Sequence, residues 1–128
     1  MENRKGIILL GQNLFFQGRV ETVAEPLGYQ VRQAHTEADF WASYGAETSL
    51  VLVDLEGDAD TWAAVLAGLQ EKAPAGDGSN RSQLVRIVAF GPHEDTAAME
   101  RAQTLGAHQT LNKGRFSATL GEIVGGGG

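Results

Sequence analysis

Apolar positions along this chain fall into short unbroken runs that alternate with stretches of helical spacing. Gly6 leads into residues 7–10, Ile-Ile-Leu-Leu, a run that predicts a buried strand. Phe16, Val20, Val23, Ala24 and Leu27 then recur three and four apart, predicting a helix that stops at Gly28. Residues 29–31 form a weaker second strand, placed near a sheet edge because Gln30 and Arg32 interrupt it. Thr36, with Asp39 three residues on, reads as the capped start of a short helix carrying Phe40, Trp41 and Tyr44. Residues 50–53, Leu-Val-Leu-Val, predict a third strand buried on both faces and running straight into Asp54.

The same alternation continues to the end. Asp58 or Asp60 caps a helix whose inward stripe is Trp62, Val65, Leu66 and Leu69. Residues 74–80 are rich in turn formers and predict a mobile loop. Residues 84–90 predict a fourth strand with Arg86 as its only charge, stopped by Gly91 and Pro92. Residues 95–105 predict a helix with Ala98, Ala102 and Leu105 inward, closed by Gly106. Thr110 and Leu111 belong to a short fifth strand, and Phe116, Leu120, Ile123 and Val124 form the last apolar stripe. The domain is expected to span residues 1–124, with the glycines of 125–128 a disordered tail.

Five strands alternating with five helices imply a parallel sheet covered on both faces. For this length the expected architecture is a flavodoxin-like α/β fold, a three-layer αβα sandwich with strand order 2-1-3-4-5. The loops after Leu10 and Val53 then meet at the carboxyl edge of the sheet, where such folds carry their functional groups. Asp54 is the acid that would be on display there.

Composition narrows the function classes. The chain has 128 residues, enough for one domain with an ordinary core. Acidic residues outnumber basic ones 16 to 10, for a net charge of −6, which argues against a nucleic-acid or anionic membrane partner. There is no cysteine, so thiolate chemistry and disulfides are excluded. The run at 7–10 is too short for a membrane span or a signal-peptide core, and a cytoplasmic location is expected.

Other candidate groups weaken on inspection. His93, Glu94 and Asp95 follow the fourth strand and offer metal ligands or a general base. They also read as a turn into an acidic helix start, and no second histidine lies near them. His35 and His108 show no ligand spacing. Gly11, Gln12 and Asn13 open the first helix and can offer N–H groups to an anion, but lack the glycine spacing of a phosphate-binding loop. Asn13 reads as a helix cap. Ser49 and Ser117 have no histidine and acid arranged around them. Trp41 and Trp62 share helical spacing with core residues.

Asp54 at the end of the third strand, residues 87–90 ending the fourth, Leu105-Gly106-Ala107 and Leu111-Asn112-Lys113 together resemble the receiver domain of two-component response regulators. That resemblance implies that Asp54 takes a phosphoryl group from a histidine kinase and that Lys113 contacts its oxygens. It also places the backbone carbonyl of Glu56 on a Mg²⁺ ion. The departures are specific. Gly11 and Gln12 stand where the family has its acidic, metal-binding pair. Gly91 replaces the switch Ser or Thr, and Gly114 the usual proline.

Phosphoryl transfer to a carboxylate depends on charge neutralisation, for which a divalent metal is central. Mg²⁺ needs anionic oxygen ligands, and Asp54 is the one strand-end carboxylate left, with Glu56 at most a weak further ligand. The expectation is therefore a degenerate receiver with no cofactor and weak or no Mg²⁺ binding. A plain Asp54–Lys113 ion pair is expected in place of metal and phosphate. The chain is expected to be a non-enzymatic, stand-alone module acting by protein–protein contact. Its expected surface includes Met99, Gln103, Thr110 and Phe116, facing a histidine kinase, a separate output protein or a second copy. Two alternatives stand: a phosphoacceptor using Asp54 in a phosphorelay, and a small-molecule or anion-binding domain using the edge near Gly11 and Gly91.

Overall fold

Successive residues of a strand point to opposite faces, and that alternation divides the core in two. A computed structural model describes residues 5–72, 85–92 and 94–125. In β1 (Gly6–Leu10), Ile8 and Leu10 face one layer while Ile7 and Leu9 face the other. In β3 (Thr48–Asp54), Val51 and Val53 oppose Leu50 and Leu52 in the same way. In β4 (Arg86–Gly91), Ile87 and Ala89 oppose Val88 and Phe90. Both faces of the central strands are apolar, so helices must cover both.

With β2 (Gln30–Ala34) and β5 (Gln109–Asn112) the sheet is parallel in the order β2-β1-β3-β4-β5, the expected flavodoxin-like topology. Register aligns the carboxyl ends: Leu10 lies opposite Val53, Asp54 opposite Phe90, and Gly91 opposite Asn112. β2 is an edge strand, as its polar residues predict, and runs on to Ala34.

One layer is formed by α1 (Leu14–Ala24) and α5 (Lys113–Gly125). Asn13 caps α1, its side chain accepting from the N–H groups of Phe15 and Phe16, and Phe16, Val20 and Ala24 go inward. Leu27 does not join them. Pro26 turns the chain into a single 3-10 turn, leaving Leu27 47 % exposed, and Gly28 closes it at φ +91°. Phe16, Phe90 and Phe116 fill the middle of this layer, with Phe90 and Phe116 stacked 3.9 Å apart. Each such buried ring contributes roughly 1.5–3 kcal/mol. The Arg86 guanidinium donates to the Ile123 carbonyl in the last turn of α5, a cation at a helix C-terminus. Gly125 is the final residue of α5, so the expected tail loses its first residue to the helix.

The other layer holds α2 (Glu37–Ser43), α3 (Ala59–Lys72) and α4 (Thr96–Thr104). Thr36 caps α2, accepting from Asp39 N–H. Of the two candidate caps for α3 the structure uses Asp58, whose carboxylate accepts from the Thr61 N–H and hydroxyl. Asp95 caps α4 from just outside it, accepting from Ala98 N–H. Trp62, Val65, Leu66 and Leu69 are all buried, as their spacing predicts. The expected loop at 74–80, Leu84, His93 and the glycines 126–128 lie outside the described residues.

Candidate functional site

Asp54 is the last residue of β3, and the sheet does not release it to solvent. Leu55 N–H still donates to Phe90 O at 2.8 Å, and Asp54 is 5 % exposed. One carboxylate oxygen, Oδ1, accepts from Glu56 N–H at 3.0 Å. The loop after β1 closes over the other side. Gly11 N–H donates to Ala34 O, and the Gln33 side-chain amide donates to Gly11 O at 2.9 Å. These bonds press the Gly11 backbone against the aspartate. A Cβ on Gly11 would sit 2.7 Å from Asp54 Cβ, closer than real side chains approach, so only glycine fits.

Among the described residues, two spaces adjoin Asp54. A narrow cleft beside Gly11, His35 and Trp62 encloses about 20 Å³, room for a single water. The second is an open concavity over Gln12, Asn13, Glu56 and Asp58. Burial pushes the Asp54 carboxyl above its usual range. The Glu56 N–H bond and the charge of Lys113 oppose that shift without cancelling it, and the Glu56 carboxylate adds to it.

Lys113 does not pair with Asp54. It pairs with the side chain of Glu56, and its ammonium lies 5.5 Å from the centroid of the Phe16 ring. The expected Asp54–Lys113 pair fails for a geometric reason. Asp54 is recessed and its Oδ1 is turned to a backbone N–H, whereas the half-exposed Glu56 carboxylate reaches the lysine from above. The resemblance gave Glu56 a role only through its backbone, so this side-chain role was missed. An exposed pair of this kind contributes about 0–1 kcal/mol.

Gly91 ends β4 and is buried. A Cβ there would lie 3.1 Å from Leu55 Cβ, a tight approach that Leu55 would have to ease to admit a Ser or Thr. Gly114 lies exposed in the first turn of α5, where Asn112 caps the helix by accepting from Arg115 N–H at 2.8 Å. Asp95 is committed to capping α4, and Glu94 is exposed. His35 lines the cleft at Asp54, a placement its position after β2 could have signalled. His108 is structural: its Nδ1 accepts from Ile87 N–H at 2.9 Å. Trp62 is buried, donating its indole N–H to Leu55 O.

Among the described residues no group of three acidic, His or Cys side chains could hold a metal ion. Gly11 has no side-chain donor, Gln12 offers a neutral amide, and Glu56 is neutralised by Lys113.

The expected docking surface needs one correction. Phe116 is fully buried between Phe16 and Phe90 and presents nothing to a partner. Met99 packs half-buried on the α2–α4 layer. Gln103 is exposed, and its amide donates to Thr110 Oγ1 at 3.1 Å, tying α4 to β5.

No protein-family model matches the chain, and no curated protein sequence matches it. Solved structures do match. A response regulator from Burkholderia pseudomallei, with a phosphorylated aspartic acid, calcium ion and citrate, is 24 % identical at TM-score 0.70. The match covers 94 % of this chain and 66 % of that one. A signal receiver domain from Bermanella marisrubri is 20 % identical at TM-score 0.71, with 96 % of each chain covered. A CheY-like receiver domain from Methanospirillum hungatei is 15 % identical at TM-score 0.70, covering 94 % and 90 %. The fold is that of response regulator receiver domains. No described helix is long and apolar enough to cross a membrane.

Proposed function

We propose that the chain is a receiver-fold module of two-component signalling that acts by binding a protein partner, without phosphoryl transfer and without Mg²⁺. The observation that carries this reading is the contact of Gly11 with Asp54. Where a receiver needs a metal-binding carboxylate, the backbone here leaves no room for a side chain at all. Three further features support it. Asp54 is recessed, Lys113 is held by Glu56, and Leu55 crowds the space beside Gly91. Phosphoryl transfer needs the metal and lysine free to neutralise the incoming group.

The reading is of a non-enzymatic, cytoplasmic protein whose partner is a histidine kinase, a separate output protein or a second copy. Met99, Gln103 and Thr110 lie on or beside α4 and β5 and offer a surface for it. The test is incubation with acetyl phosphate and Mg²⁺, read by intact mass. The unmodified mass alone is expected. A phosphoryl adduct that disappears in Asp54→Asn would overturn the proposal and restore the phosphoacceptor reading.

A further inference from the structure

Only one of the two Asp54 carboxylate oxygens is satisfied, although the residue is 5 % exposed. Oδ1 takes the Glu56 N–H, while Oδ2, on the Gly11 side, accepts no hydrogen bond among the described residues. A buried oxygen in that state calls for a donor. Gly11 and Asp54 both line the narrow cleft of about 20 Å³, with Asp58 and Thr61 on its outer wall. The open concavity above it, of about 510 Å³, shares Gln12, Asp54, Gly57 and Asp58 with the cleft and so forms its mouth. Asp58 caps α3 through Oδ2 alone, which leaves its Oδ1 for a ligand. Lys113, the cation whose charge reaches Asp54, is taken by Glu56.

A buried carboxylate without a countercharge, beside a second carboxylate and a space for one small group, makes a receptor for a cation. The size of the space chooses the cation. An ammonium head is about as large as a water molecule and turns three N–H donors to its surroundings, whereas a guanidinium is a wide planar fork. Asn13 lines the concavity, and the next two residues, Leu14 and Phe15, are 69 % and 64 % exposed. Among the described residues no other large apolar side chain is as exposed. A free amine would leave them bare, and a polypeptide carrying the amine would cover them. We infer that this edge receives the ammonium of a lysine side chain on a protein partner, whose neighbouring apolar residues cover Leu14 and Phe15. The contact lies at the carboxyl edge of the sheet and on α1, away from Met99 and Gln103 on α4. It rests on the reading of the chain as a protein-binding module, and gives that module a chemically defined contact.

The test titrates the tripeptide acetyl-Leu-Lys-Leu-amide into the isotope-labelled full chain and reads the Gly11, Glu56 and Gly57 N–H signals by NMR. A saturable shift of all three is expected. The arginine and norleucine versions of the peptide are each expected to bind at least about tenfold more weakly, the first for size and the second for charge. Asp54→Asn keeps an oxygen for the Glu56 N–H and should weaken the lysine peptide to the same degree, with an unchanged circular dichroism spectrum showing that the fold is intact. Phe15→Ser, at an exposed position, should weaken it at least about threefold. The proposal fails if no shift occurs, if arginine or norleucine matches lysine, or if either variant binds the peptide normally. Methylamine binding as tightly as the peptide would make the edge a small-amine site and overturn the partner assignment. Mg²⁺ alone shifting the same three signals to saturation would make it a metal site, overturn the proposal and reach back to the proposed function. The other failures leave the mass assay at Asp54 untouched, so the two readings are told apart.

Discussion

At the scale of single residues, Asp54 is a buried acid whose carboxyl is held above its usual range. Its folded-state pKa is raised, chiefly by burial, so the ionised form is penalised in the fold and not in the unfolded chain. The folded state therefore holds the proton more tightly, and stability falls as pH rises from the usual carboxylate range through the raised value. Asp54→Asn removes that penalty while keeping an oxygen for the Glu56 N–H. The variant is expected to be more stable than the parent at about pH 7, with the gap closing toward about pH 4. Urea midpoints at the two pH values measure this, and a gap that widens on acidification would contradict it. Gly11→Asp reinstates an acid where a receiver has one, yet its Cβ collides with Asp54. It is expected to lose about 1–3 kcal/mol by forcing the loop aside, as overpacking does. Equilibrium unfolding reads the loss directly, and an unchanged midpoint would show that the loop yields freely.

At the scale of elements, the strands and inward stripes were legible because burial leaves a period in the sequence. Residues 50–53 and the stripe Trp62, Val65, Leu66, Leu69 needed nothing else. What escaped was the packing between elements. Leu27 fits the spacing of α1, but Pro26 re-aims the chain and leaves it exposed. Phe116 fits both a core stripe and a surface patch, and only the meeting of α1, β4 and α5 decides for the core. Phe116→Ala is accordingly expected to cost about 3–5 kcal/mol, as for a core aromatic and not a surface contact. Chemical denaturation gives the number, and a loss well under 1 kcal/mol would return Phe116 to the surface. Asn13→Ala tests a cap that was legible. Losing its bonds to Phe15 and Phe16 should lower stability by about 1 kcal/mol in the same assay.

At the scale of the whole molecule, fold and chemistry separate. Strand order followed from alternation together with the chain's length and the right-handed crossover rule, which leave few topologies for five parallel strands. The site could be read only in part. Which residues reach the sheet edge follows from strand ends, but which of two carboxylates meets Lys113 depends on how deep each sits. Depth is set by the loop after β1, which no local pattern encodes. The layered core has its own signature. Amide exchange should be slowest in β1, β3 and β4, which are flanked on both sides, and faster in the edge strands β2 and β5. Equal protection across all five strands would contradict this. The contact between Gly11 and Asp54 also bears on engineering. A side chain at 11 and the present path of the loop compete for one space, so installing a carboxylate there requires the loop to be redrawn together with residue 11.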